Sequence, residues 1–407
     1  MSDDGGAAAG VPGFPPSATA GLGTRPFGVY VHVPFCASRC GYCDFNTYTA
    51  SELEGSGASP AGWLDAVRRE LGLAVEVLGR SGRVPAADTV FVGGGTPSLL
   101  GASGLADVLE AVRGSFGLAA GAEVTTEANP ESTSPEFFEG LAAAGYTRVS
   151  LGMQSAAPAV LAVLDRRHTP GRPVAAALEA RRAGIGQVSL DLIYGTPGET
   201  DDDLRASLDA VLAAGVDHVS AYALIVEDGT ALSRRIRRGE LAAPVDDVAA
   251  DRYELVDDVL SKSGMRWYEV SNWSTADDTR CRHNLGYWGD GDWWGAGPGA
   301  HGHIGGVRWW NVKHPARYAA ALSDGGSPEA GREQLTEGER HEERVLLGVR
   351  LAGGLELAAL GGGGRAAAAR AAEDGLLDAA AVAAGRAVLT RRGRLLADAV
   401  VRALLEC

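Results

Sequence analysis

Cys36, Cys40 and Cys43 stand in the run Tyr30-Val-His-Val-Pro-Phe-Cys-Ala-Ser-Arg-Cys-Gly-Tyr-Cys, directly after the first stretch that reads as a β-strand. The chain has only five cysteines, and three of them share this C-x3-C-x2-C spacing. Thiolates packed so tightly hold a soft metal or an iron–sulfur cluster. Three ligands on one loop, with no fourth thiol nearby, leave one corner of a four-iron cluster open to a small chelating molecule. Two other chemistries suit the same residues. A structural zinc needs a fourth ligand, for which His32 and the distant Cys281 are the candidates. A disulfide with a spare thiol belongs to an oxidising compartment, and nothing in the sequence points to secretion.

The elements that position this loop alternate. Strand candidates are Val29–Val33, Thr89–Val92, Glu123–Thr126, Arg148–Leu151, Val188–Ile193 and His218–Ala223. Helices lie between them, opened by Ser59-Pro60, by Ser134-Pro135 and by Thr200 ahead of three aspartates. The pattern Ala-Gly-x-x-x-Val-Ser occurs at 144–150, 183–189 and 214–220. Each Gly suits the left-handed end of a helix and each Val-Ser opens a strand, which is a βα repeat feeding a parallel sheet. The expected fold is α/β: a partial (β/α)6 TIM-like barrel, with an open doubly wound sheet as the alternative. A barrel carries its chemistry at the C-terminal strand ends. Those ends hold the cysteine loop, Gly93–Pro97, Glu127 to Pro130, Met153-Gln154-Ser155, Asp191 and Tyr222-Ala223.

The 407 residues suffice for one large domain and one or two small ones, and 45% apolar residues supply a core. A net charge of −15, from 52 acidic and 37 basic residues, argues against a general nucleic-acid or anionic-membrane binder. Neither a signal pattern nor an uncharged run of membrane-spanning length stands out, so a cytoplasmic protein is expected, in a compartment that keeps thiols reduced.

The glycine triplet at 93–95 lacks the spacing of a phosphate-binding loop; it permits a close backbone approach to a ligand or forms a plain tight turn. Glu127 and Asp191 suit ribose hydroxyls or an ammonium, or else a salt bridge or helix cap. Arg166 suits a ligand carboxylate or open solvent. A second region runs from Cys281-Arg-His-Asn-Leu-Gly-Tyr-Trp288 to Trp293-Trp294 and Gly295–His303. Aromatic surface beside histidines can receive a large planar ligand, or it is a small aromatic core with a hydrogen-bonded histidine.

Taken together, Tyr30-x-His32-x-Pro34-Phe35-Cys36-x3-Cys40-x2-Cys43, Gly93–Pro97 and Asp191-Leu-Ile-Tyr-Gly-Thr-Pro197 resemble the radical-SAM family that contains oxygen-independent coproporphyrinogen III dehydrogenase. The likeness runs from about Tyr30 to the C-terminus and is greater to the heme-chaperone branch. The dehydrogenase has a further cysteine two positions after the last cluster ligand, where this chain has Phe45, and an ordered N-terminal extension. Conversely, His283-Asn284-Leu-Gly-Tyr287-Trp288 matches the H-N-x-x-Y-W motif associated with heme in that branch.

This resemblance implies a [4Fe–4S] cluster held by Cys36, Cys40 and Cys43, with the amino and carboxylate groups of S-adenosylmethionine (SAM) on the open iron. It puts SAM contacts on Tyr30, Gly94, Gly95, Thr96 and Glu127. Gln154, Arg166, Asp191 and Ala223 fall in the same pocket, some of them at a second SAM in the dehydrogenase, where Tyr42 matches an aromatic. Heme would meet His283, Asn284, Tyr287 and Trp288, with His283 or the competing Cys281 as axial ligand. No side chain is singled out as catalytic. The implied function is a cytoplasmic heme chaperone that passes heme to an acceptor hemoprotein, respiratory for example. The alternative is a dehydrogenase-type enzyme whose deoxyadenosyl radical abstracts hydrogen from a porphyrinogen side chain. The expected organisation is a disordered tail over 1–25, the radical-SAM partial barrel over 26–265 and an aromatic, glycine-rich extension over 266–325. A small helical, winged-helix-like domain over 326–407 follows, with its Gly361–Gly364 run as a loop; an acidic chain speaks against DNA binding by it.

Overall fold

The computed structural model describes residues 13–323 and 325–405. Its centre is six parallel strands in chain order: β1 (Phe27–Val33), β2 (Ala87–Gly94), β3 (Leu118–Ala128), β4 (Arg148–Gln154), β5 (Gln187–Tyr194) and β6 (His218–Ala223). Register is regular between neighbours, as in Val29 opposite Val90 and Leu190 opposite Val219. Buried valines and leucines of these strands form one core with the crossover helices α1 (Pro60–Gly79), α2 (Gly101–Phe116), α3 (Pro135–Ala144), α4 (Arg172–Arg182) and α5 (Asp201–Ala214). This is a partial (β/α)6 barrel of the TIM type.

Local chemistry explains the element ends. Ser59, Ser134 and Thr200 each accept a backbone N–H in the first turn of the helix they open, and Asp203 completes a capping box with Thr200. Gly145, Gly184 and Gly215 take φ of +105°, +92° and +62°, reversing the chain where the repeat places them.

The segment expected as an extension is built into both edges of the sheet. β7 (Arg266–Glu269) and β8 (Asn272–Ser274) form a hairpin on β6. On the other edge, β9 (Asp292–Ala296) lies parallel to β1, followed by β10 (His301–Ile304), β11 (Val307–Asn311) and β12 (Glu329–Gln334) in antiparallel order. The result is an open sheet of 12 strands.

Two expectations are corrected. Of the supposed disordered tail, residues 1–12 lie outside the described residues, but the chain from Gly13 on is packed. Phe14 sets its ring edge-on to Trp309, Leu22 is buried, and Arg25 pairs with Asp292 at 2.8 Å. Two apolar anchors among small residues suffice to dock it. Gly362–Gly364 open a helix, α9 once the intervening α6 (Asp246–Lys262), α7 (Arg282–Trp288) and α8 (Glu337–Gly348) are counted, that runs to Glu373. The alanines that follow carry the helical propensity, and Gly364 allows the backbone to approach the Leu404 carbonyl, where a Cβ would stand 2.7 Å away. The C-terminal helices share a separate apolar cluster around Val345, Leu377 and Val401, and Arg391 and Arg394 tie them to Asp258 and Asp257 on α6. Among the described residues no helix is long and apolar enough to cross a membrane.

Candidate functional site

The C-terminal ends of β1 to β6 surround a cavity of about 500 Å³, within the range of ligand clefts. Cys36, Cys40 and Cys43 line it together with Tyr42, Gly94, Gly95, Thr96, Glu127, Gln154, Arg166, Asp191 and Ala223. Residues drawn from the five strands β2 to β6 and from the loop after β1 are thus brought to one place. Tyr30 is the exception. Its hydroxyl shares a 2.9 Å hydrogen bond with His32 Nδ1, and it lines a neighbouring groove instead.

The cysteine loop is clamped by backbone. Phe35–Cys36 pairs in parallel with Tyr48–Thr49, and Gly41 N–H donates to the Leu164 carbonyl at 3.0 Å. Gly95 N–H reaches the Val33 carbonyl at 2.7 Å and Thr96 N–H the Phe35 carbonyl at 2.8 Å. A Cβ on Gly95 would stand 2.5 Å from that Phe35 oxygen, so this glycine admits the cysteine loop itself before any ligand. Gly94 N–H is likewise taken, by Glu127 Oε2 at 2.9 Å.

Thr96 Oγ1 lies 3.7 Å from Cys36 Sγ, and Arg166 reaches Cys40 Sγ at 3.4 Å. Burial pushes the Cys36 and Cys43 thiols up, Cys43 to about 11. Such thiols ionise when a metal supplies the compensating charge. Neither His32 nor Cys281 is available as the fourth ligand of a mononuclear zinc. His32 has Nδ1 with Tyr30 and Nε2 with the Asn46 carbonyl, and Cys281 is buried beside Glu123. Among the described residues no three His, Cys, Asp or Glu side chains converge on one ion position. Three thiols spread around a cavity suit a multi-iron cluster with one corner toward a ligand.

The carboxylates give the cavity its charge. Burial, opposed by the Gly94 bond and reinforced by Asp191, raises Glu127 to about 7. Burial also raises Asp191, against hydrogen bonds from Ser220 and Ser150 and the field of Arg148 and Arg166. Ser150 Oγ lies 2.9 Å from both Asp191 oxygens. Two buried carboxyls, both raised by desolvation, suit a cationic ligand, and SAM held through its amino and carboxylate groups still carries a sulfonium. Gln154 adopts φ +65°, a conformation that non-glycine residues hold mainly where the surroundings require it. Sequence reasoning missed Ser150, Ser220 and His168. The serines are the last positions of two copies of the βα repeat, and that periodic placement was the available signal. His168 Nε2 accepts from Arg166 Nε at 3.2 Å and steadies the guanidinium; burial lowers it to about 4.

The second region is arranged differently from the expectation. His283 is buried in α7, with Nδ1 2.8 Å from Thr89 Oγ1, Nε2 2.7 Å from Tyr287 Oη and its ring stacked on Phe91. Desolvation drops it to about 3. Neither nitrogen is presented to a ligand. Asn284 and Trp288 turn to Glu269, and only Tyr287 of the four motif residues faces the groove that also holds Tyr30. The competing Cys281 is pushed up to about 12 by burial, then by Glu123. Hydrogen bonds from Arg282 N and His283 N to Glu123 fix α7 in this place, since a carboxylate suits a helix N-terminus.

Residues 30–211 match the model of the radical SAM superfamily. Heme chaperone HemW of Mycobacterium tuberculosis is 63% identical over 381 residues, covering 94% of this chain and 95% of that protein. The chain belongs to the radical SAM superfamily. Heme chaperone HemW of Bacillus subtilis is 32% identical, covering 92% of this chain and 98% of its own length. Among solved structures, coproporphyrinogen III oxidase (HemN) from Escherichia coli superposes with a TM-score of 0.78 at 23% identity, over 96% of this chain and 92% of that one. At that identity the likeness speaks for the fold. Membership of the superfamily implies a [4Fe–4S] cluster and SAM, which the donor set of the cavity suits.

Proposed function

We propose that the protein is a heme chaperone that binds heme, a [4Fe–4S] cluster and SAM, and passes heme to an acceptor hemoprotein, a respiratory one for example. The observation that carries this reading is the 63% identity, over nearly the whole of both chains, to proteins named heme chaperones. In the reading, Cys36, Cys40 and Cys43 hold the cluster. Gly94, Gly95, Thr96 and Glu127 border SAM, and Tyr42, Gln154, Arg166, Asp191 and Ala223 complete its pocket. When bound, the cluster supplies an iron site for SAM and a redox centre. Glu127 and Asp191 balance the cationic ligand, Arg166 orients its carboxylate, and His168 holds Arg166. Phe45, where the dehydrogenase has a further cysteine, argues against porphyrinogen decarboxylation. A reducing cytoplasm suits free thiols at Cys36, Cys40 and Cys43.

The test is anaerobic. The chain with reconstituted cluster is titrated with heme, and separately given coproporphyrinogen III, SAM and a reductant. Saturable heme binding and release to an apo-hemoprotein, without vinyl products, is the expected result. Repeated decarboxylation overturns the reading.

A further inference from the structure

Beside the cluster cavity lies a groove of about 340 Å³ with Tyr30, Phe45, Tyr287 and Trp293 in its walls and His301 at its mouth. Phe45 lines both spaces and is 59% exposed, so groove and cavity meet at one aromatic ring. The volume is that of a ligand cleft, and the wall chemistry is that of a flat apolar molecule. A heme also needs an iron ligand, and the chain offers eight histidines.

Most of these are committed elsewhere. His32, His218, His283 and His303 have both ring nitrogens hydrogen-bonded within the protein. His168 is buried against Arg166, and His314 Nδ1 accepts from Ala316 N–H. Among the described residues, only His301 and His341 make no hydrogen bond through either ring nitrogen. Of these two, His301 lines the groove and His341 sits on α8. The His301 ring is stacked on Trp310 at 6.0 Å, and its carbonyl accepts from Trp293 Nε1 at 2.9 Å. The imidazole is thereby held in place with its nitrogens uncommitted.

A second observation concerns charge. The chain has two lysines, Lys262 and Lys313. Lys262 pairs with Asp258, whereas the exposed Lys313 has no ion-pair partner among the described residues. Its carbonyl accepts from Asn46, another residue of the groove. Lys313 is near enough to the His301 imidazole for its field to act on it, which puts the ammonium beside the groove. An uncommitted ammonium there suits the propionate of a heme.

We propose that heme binds in this groove, with His301 as the side-chain ligand of its iron and Lys313 as the partner of a propionate, while His283 is a positioning residue for Tyr287. The inference rests on the heme-chaperone reading and assigns its binding site. Hemin is titrated into the full chain with reconstituted cluster, and the Soret band and the electron-spin resonance of the bound iron are recorded. His301→Gly keeps the cluster spectrum, weakens binding by about tenfold or more and loses the histidine-ligated signature, which added imidazole restores. Lys313→Ala weakens binding about two- to fivefold and leaves the signature unchanged. An unaltered signature and affinity in His301→Gly overturn this assignment while the chaperone reading stands. Failure of the unmutated chain to bind hemin overturns both.

Discussion

Replacing Glu127 by Gln separates the charge of the SAM pocket from its shape. Glu127 is raised to about 7, chiefly by burial, and it faces the cavity beside Asp191. A cation that binds only the ionised form gains affinity as pH rises through that value. With a pKa of about 7, the ionised fraction climbs from about one-eleventh at pH 6 to about ten-elevenths at pH 8, so SAM affinity should rise about tenfold, about 1.4 kcal/mol. Near pH 7, binding should release about half a proton. The amino group of SAM itself titrates near pH 8, and the Glu127→Gln protein carries that effect together with whatever Asp191 contributes. The ratio of the two affinities is therefore the measured quantity. Calorimetry of SAM binding between about pH 6 and 8, in two buffers of different ionisation enthalpy, gives both the affinity and the proton count. A ratio independent of pH, with equal proton release in both proteins, would refute the assignment of Glu127 to a cationic ligand. The sign for the unliganded fold is opposite. The folded carboxyl keeps its proton to about 7, well above the ordinary value of 4.5, so stability falls as pH rises through that window.

Thr89→Val removes the 2.8 Å partner of His283 Nδ1 and should cost about 1–3 kcal/mol in denaturant unfolding, yet leave the spectrum of bound heme unchanged; a changed spectrum would put His283 on the iron. Glu70, which takes hydrogen bonds from Gly297, Asn311 and Tyr318, ties α1 to the loop before His301. Glu70→Gln turns an amide toward those donors and should lower stability by about 1–3 kcal/mol while cluster content holds; equal stability would mean the network carries no weight. Phe45→Ala should weaken heme binding by about 1 kcal/mol through lost aromatic contact and keep the iron content, and unchanged heme affinity would remove Phe45 from the groove wall.

The barrel was legible because its signals are local and repeated. The Ala-Gly-x-x-x-Val-Ser spacing, the Ser and Thr caps and the β-branched runs each act within a few residues, and all six strands stand where those signals put them. The cysteine loop and the pocket after each strand followed, since a βα unit fixes which end of a strand is the C-terminal one. What escaped depends on contacts between distant parts of the chain. The pairing of β9 with β1 brings His301 to Phe45, and no spacing in the sequence announces it. His283 looked available because its neighbours are aromatic, but Thr89, far away in sequence, closes Nδ1. The ordered stretch after Gly13 hangs on Phe14 and Leu22, two residues that composition averages away.

The most direct measurement is the electron-spin resonance of the reduced, anaerobically purified chain before and after SAM, alongside metal and sulfide analysis. The account predicts iron and sulfide in equal amounts, a spectrum that shifts when SAM arrives, and loss of both in Cys36→Ala. Zinc without sulfide, or a cluster signal indifferent to SAM, would contradict it.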